Sequence, residues 1–140
     1  MKKKVNDFLY EKETYIIRGA LFSVWKQLGC GFKENVYHNA LKEEFIKSKI
    51  PFVSEPRIDI IYNEKKVGTY KPDFLLFNKI ILEIKCISIL TKLEDKQLWY
   101  YLKGSNYKLA FIANFGAQKL EIRRWVYDKA REKYLRLEAS

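Results

Sequence analysis

Lys71-Pro72-Asp73-Phe74-Leu75-Leu76-Phe77-Asn78-Lys79-Ile80-Ile81-Leu82-Glu83-Ile84-Lys85 is the stretch on which the fold turns. Two apolar runs, Asp73 to Phe77 and Ile80 to Ile87, read as paired strands. The second is apolar on both faces apart from Glu83 and Lys85, as in a central strand covered on both sides. Side chains alternate along a strand, so Glu83 and Lys85 share one face while Ile84 points the other way into core. Two charges on one face of such a strand are costly unless solvated, paired or bound to a metal.

The connection decides what faces Glu83. A three-residue link of Phe77, Asn78 and Lys79 sets Leu76 opposite Ile80 and Asp73 opposite Glu83. A two-residue loop would not match the faces, so the odd loop or a bulge is predicted, with Asn comfortable at positive φ. Two facing carboxylates repel unless a cation lies between them, and hard oxygen ligands with room for water suit Mg²⁺ or Mn²⁺. A lysine beside that ion can hold water or phosphate and offset charge in a transition state. These are the parts needed for phosphodiester hydrolysis. The plainer reading is an ion pair between Glu83 and Lys85, with Asp73 merely opening a strand, and spacing alone does not separate the two.

Outward from this pair, Thr14 to Leu28 carries Ile17, Ala20, Leu21, Val24 and Leu28 on one helical face, and Gly29 stops it. A Gly29-Cys30-Gly31 turn leads to a second helix, about Phe32 to Lys49, with Tyr37, Leu41 and Phe45 at helical spacing before Pro51. Ile58 to Tyr62, a turn at Asn63-Glu64-Lys65, and Lys66 to Tyr70 form a hairpin. Thr91-Lys92-Leu93-Glu94 is a capping-box pattern opening a third helix that Gly104 closes. Lys108 to Ala113 and Leu120 to Tyr127 read as further strands, and the charged tail from Asp128 as a marginal helix. The order predicts a mixed α/β sheet flanked by helices in one domain over residues 1–140.

Composition narrows the partners. Lys and Arg total 27 against 17 Asp and Glu, a net charge of +10 on 140 residues, which favours polyanions. Solubility alone is the plainer account of those lysines. Neither a membrane span nor a signal-peptide apolar region is evident, and two distant cysteines, Cys30 and Cys86, fit a cytoplasmic protein with reduced thiols. His38 is the sole histidine and is expected on a helix surface, which argues against zinc and histidine-based chemistry. Cys86 should turn into core with Ile84. Trp99, Tyr100 and Tyr101 are consecutive, so at least one is expected to be exposed, to stack on a base or to make a dimer contact.

Lys71-Pro72-Asp73, the ten-residue step to Glu83, and Glu83-Ile84-Lys85 resemble the PD-(D/E)xK signature of a large nuclease superfamily. Gly31-Phe32-Lys33-Glu34-Asn35-Val36-Tyr37 is similar to the Gly-x-x-Glu-x-x-Tyr motif of the GxxExxY family, and Gln97-Leu98-Trp99-Tyr100-Tyr101 resembles the Gln-x-x-x-Tyr motif of RecB-like nucleases. The resemblance runs from about Ile16 to Tyr127. It implies a restriction-endonuclease-like core. It implies Asp73 and Glu83 as ligands of Mg²⁺ or Mn²⁺, joined by the carbonyl of Ile84, and Lys85 as the catalytic lysine. Glu34 would reach the metal from the second helix, and Gln97 and Tyr101 would contact substrate or order the site. The implied activity is metal-dependent hydrolysis of nucleic acid, DNA ahead of RNA; because one small domain often cannot grip two strands alone, a homodimer is a further expectation. The rival is a catalytically idle nucleic-acid-binding or protein-interaction module on the same fold.

Overall fold

The computed structural model describes residues 9–127. Helix α1 (Glu11–Leu28) begins one turn earlier than its apolar stripe, because Glu11 and Glu13 favour the positive end of the helix dipole without contributing to the stripe. It buries Ile17, Ala20, Leu21 and Val24, and Gly29 at φ 64 turns the chain away. Helix α2 (Glu34–Lys47) buries Tyr37, Leu41 and Phe45 as expected. Two residues past its end Lys49 adopts φ 58, while the Ile50 N–H donates to the Phe45 carbonyl at 2.8 Å.

Strands β1 (Phe52–Ser54), β4 (Phe74–Leu76), β5 (Ile80–Lys85), β6 (Leu109–Asn114) and β7 (Glu121–Val126) form one sheet in the order β1-β4-β5-β6-β7. Only the β5–β6 pair is parallel, and helix α3 (Lys92–Gly104) lies in its connection. The hairpin of β2 (Ile58–Tyr62) and β3 (Lys65–Tyr70) stands apart as a second sheet. Its two turn residues, Asn63 and Glu64, both take positive φ, the geometry that matches strand twist in a tight hairpin. Strand β1 is an element the sequence reading missed; three residues between two prolines are too few to show a period.

The sheet is covered on both faces. Ile80, Leu82, Ile84, Phe111 and Ala113 pack under α1 and α2. Leu75, Ile81, Ala110 and Ile112 pack under Leu98 and Leu102 of α3 and under Ile58 and Tyr70 of the hairpin. Burying each large apolar side chain in these layers contributes about 1.5–3 kcal/mol. The β4–β5 register is the predicted one: Leu76 pairs with Ile80, Leu75 with Ile81 and Phe74 with Leu82. The link takes φ 53 at Phe77 and φ 59 at Asn78. Phe77 tolerates that conformation because its N–H donates to Pro51 at 2.9 Å and its ring packs against the core.

The third helix carries its predicted capping box in full, with Thr91 accepting from Leu93 and Glu94 accepting from the Thr91 N–H. Past β5 the chain is tied down by Asn114, which is fully buried on β6. Its Oδ1 accepts from Ile87 and Gly116, and its Nδ2 donates to the Ile87 carbonyl and to Glu121. Gly116 is required there: a Cβ would lie 2.4 Å from the Ile87 nitrogen. The tail from Asp128, read as a marginal helix, lies outside the described residues.

Candidate functional site

Asp73 stands one residue before β4, opposite Glu83 when the strand register is carried one step on. Its Oδ2 accepts the Ile84 N–H at 2.7 Å. In a strand one residue's N–H and C=O point to the same side, so the Ile84 carbonyl faces that edge too. Two steps beyond the last paired residues stands Pro72, which has no N–H to offer that carbonyl. A main-chain oxygen is thereby presented beside the Asp73 carboxylate.

Glu83 and Lys85 occupy the face that Ile81 shares with α3 and the hairpin, as strand alternation dictates. The Tyr70 hydroxyl donates to Glu83 Oε2 at 2.5 Å. Burial pushes the Glu83 carboxyl up to about 7; the Asp73 carboxylate adds to the rise, while the Tyr70 hydrogen bond and Lys85 oppose it. Burial, then Glu83, hold the Tyr70 phenol far above its ordinary range, so it stays protonated and donates to Glu83. Tyr101 stacks on Tyr70 with ring centroids 4.0 Å apart and planes 3° from parallel. Gln97, one turn earlier on α3, is exposed and makes no hydrogen bond among the described residues.

Glu34, at the start of α2, approaches the same centre. Its carboxyl is raised by burial and then by Asp73, with Lys85 lowering it. Glu34, Asp73, Glu83 and Lys85 thus form one electrostatic cluster assembled from α2, the start of β4 and β5. Cys86 turns toward the core on the α1–α2 side, and burial raises its thiol to about 11, which leaves it a poor nucleophile.

His38 departs from expectation. It is not a helix-surface residue: its ring stacks on Phe74 at 4.4 Å, Nε2 lies 3.0 Å from Ser54 Oγ, and Nδ1 lies 3.6 Å from Asp73 Oδ1. The available signal was its position one turn after Glu34 on the same helical face. Tyr70 was missed as well, because nothing local ties a hairpin tyrosine to a strand glutamate 13 residues later. A cleft of about 270 Å³ opens beside Asp73, lined among others by Glu34, Asn35, His38, Asn39 and Lys42.

Among the described residues no three His, Cys, Asp or Glu side chains converge into a ready-made metal cage. The oxygen donors present do fit a divalent cation of the Mg²⁺ type, which keeps several waters and takes only one or two carboxylates. Their charge fits as well, since two carboxylates close enough to raise Glu83 are relieved by a cation between them. No helix among the described residues is long and apolar enough to cross a membrane.

A family model of the PD-(D/E)XK nuclease superfamily matches residues 11–125. The crystal structure of SSO0001 is similar to this chain, with a TM-score of 0.50 and 16% identity over 75% of this chain and 55% of that one. An alkaline exonuclease (LHK-Exo) from Laribacter hongkongensis is similar at a TM-score of 0.42 and 16% identity, over 69% of this chain and 57% of that one. The chain therefore spans little more than half the length of either protein. No curated protein matches it at significant similarity. With Asp73, Glu83 and Lys85 brought together inside the matched residues 11–125, the chain belongs to the PD-(D/E)XK nuclease superfamily.

Proposed function

We propose that the protein hydrolyses phosphodiester bonds of nucleic acid, DNA ahead of RNA, with Mg²⁺ or Mn²⁺, at the Asp73–Glu83–Lys85 centre. The observation that carries this reading is the β4–β5 register, which aligns Asp73 with Glu83 and leaves Lys85 on the same face as Glu83. Asp73, Glu83 and the Ile84 carbonyl would hold the cation, with Glu34 completing or tuning its shell. When bound, the cation supplies positive charge to the phosphate and acidifies water. Lys85 orients the attacking water and offsets the charge that builds on the phosphate oxygens. Tyr70 holds Glu83, the Ile84 N–H holds Asp73, and Tyr101 supports Tyr70 from the solvent side. Gln97 is assigned to substrate contact. The net charge of +10 supports a polyanionic substrate.

The Gly31 to Tyr37 motif supports placement in the GxxExxY family, and the free thiols of Cys30 and Cys86 suit a reducing cytoplasm. One observation favours a second reading. Among the described residues the centre holds no preassembled three-residue cage, and an idle module that binds nucleic acid without cutting it would show the same residues.

Cleavage of labelled single- and double-stranded DNA and RNA with Mg²⁺, Mn²⁺ or EDTA tests the proposal, with wild type beside Lys85→Ala and Asp73→Ala. Metal-dependent cutting of DNA by wild type alone is expected. Equal cutting by the variants would dismiss the site, and binding without cutting would establish the idle module.

A further inference from the structure

Helix α3 presents aromatic rings on two flanks. Tyr101 faces Tyr70 and the acidic centre, whereas Trp99 faces the other way, toward Tyr127 at the end of β7. On that second flank a groove of about 640 Å³ runs between α3 and β7, walled by Leu93, Trp99, Tyr100 and Trp125 and bordered by Lys92 and Lys96. Leu98 and Leu102 bury the inner face of α3, and of the groove's rings Trp125 packs against that core while Trp99 and Tyr100 stand outside it. Leu93 and Tyr100 are 59% and 57% exposed, well beyond what a packing role requires.

The rings are held, and that of Tyr100 is open to solvent. Trp99 meets Tyr100 and Tyr127 in T-shaped contacts, at 76° and 86°. The Trp125 indole is fixed by a hydrogen bond from Nε1 to Asp95 at 3.1 Å. Asp95 also pairs with Arg123, so the one carboxylate among the described lining residues is already neutralised. Lys92 and Lys96 belong to no ion pair among the described residues, and Lys103 Nζ lies 5.4 Å from the centre of the Trp99 ring. Fixed aromatic faces flanked by free ammonium groups are the means by which proteins hold single-stranded nucleic acid: bases stack and lysines meet phosphates. A duplex keeps its base faces inside its own stack and offers nothing to these rings. A second copy of this chain would bring another +10 against the lysines. Among the described residues the one carboxylate in the lining is held by Arg123 and Trp125 and is not free to accept from a ribose 2′-hydroxyl.

We propose that the groove between α3 and β7 is a stacking subsite for single-stranded DNA, on the side of α3 opposite the acidic centre. This deepens the proposed function by naming the form of the substrate, and it rests on the reading that the protein acts on nucleic acid.

The test is fluorescence anisotropy of labelled oligo-dT of about twelve nucleotides, with the full chain in EDTA so that no cutting intervenes. Tyr100→Ala removes an exposed ring, and Lys92→Ala/Lys96→Ala removes two free charges. Tyr100→Ala is expected to raise the Kd at least about fivefold, the effect of losing one stacked base. The double lysine variant is expected to reduce the salt dependence of log Kd by about 0.7 per lysine. Thermal melts confirm that the variants fold. No binding of oligo-dT by wild type, equal binding by both variants, or wild-type affinity for duplex or oligo-rU as high as for oligo-dT would overturn the proposal. Cleavage assays keep the two readings separate. Weakened oligo-dT binding in a protein that cuts nothing supports the groove and dismisses hydrolysis, whereas a cutting enzyme whose oligo-dT affinity ignores both variants dismisses the groove alone.

Discussion

The Tyr70 hydroxyl donates to Glu83 across 2.5 Å, joining the end of the hairpin to the middle of the central sheet. The bond does more than pack two elements together. It supplies a hydrogen to a carboxylate that burial and Asp73 both push toward its neutral form. Tyr70 is therefore a positioning residue for the acid–lysine centre, and Tyr101 backs it from outside by stacking.

Replacing Tyr70 with Phe removes that donor while keeping the ring. Because the hydrogen bond lowers the Glu83 pKa, its loss is expected to raise that pKa further from the ordinary carboxylate range. The cost in stability is expected to be about 1–3 kcal/mol at neutral pH. Titration of the Glu83 carboxyl by carbon-detected NMR reads the shift, and an unchanged titration would show that the hydroxyl does not hold the carboxylate.

Stability without metal should depend on pH through Glu83. Its folded pKa of about 7 lies above the ordinary 4.5, so between those values the folded state binds more protons than the unfolded one. The stabilising contribution is full below about pH 4.5 and is lost as pH rises through 7. Melting temperatures in EDTA should therefore show a fall of several degrees from this group between mildly acid and mildly alkaline buffer. Glu83→Gln should flatten that fall; an unaltered pH profile in this variant would assign the dependence to other groups.

His38 is expected to support Asp73 rather than to react. With its ring stacked on Phe74 and bridging Ser54 to Asp73, it limits the orientations open to that carboxylate. His38→Ala should weaken Mn²⁺ binding roughly tenfold or more, as loss of a partner behind a metal ligand does. Calorimetry with Mn²⁺ alone measures this without any cleavage. Equal affinity in the variant would leave His38 a packing residue.

The exit of β5 depends on Asn114 and Gly116. Asn114→Leu would strand the Ile87 N–H and carbonyl in a partly buried loop, at a cost of about 1–3 kcal/mol. Gly116→Ala would drive a methyl into the backbone at Cys86 and Ile87 and shift the strand end that bears Lys85. Urea denaturation of both variants checks the expectation, with midpoints close to wild type as the contrary result.

Much of the scaffold was legible because its causes are local. Thr91 and Glu94 form a capping box by spacing alone, and Tyr37, Leu41 and Phe45 define one face of α2 whatever lies against it. The β1 strand was not legible, since Phe52 to Ser54 is a strand only because β4 pairs with it. His38 was misplaced for a related reason. It adjoins the apolar stripe of α2 without belonging to it, and only the approach of Ser54 and Phe74 encloses it.

By itself the sequence determined that Asp73 and Glu83 face each other and that Lys85 joins them. The side-chain period of a strand is two, and a three-residue link through Phe77 and Asn78 permits only the register in which the apolar faces match. What surrounds those three residues was decided by the tertiary structure alone. Tyr70 comes from the hairpin, Tyr101 from α3, His38 and Glu34 from α2, and Asn114 from β6. Their contacts join residues far apart in the chain, and burial, which raises Glu83 toward neutrality, exists only once the layers have closed over the sheet.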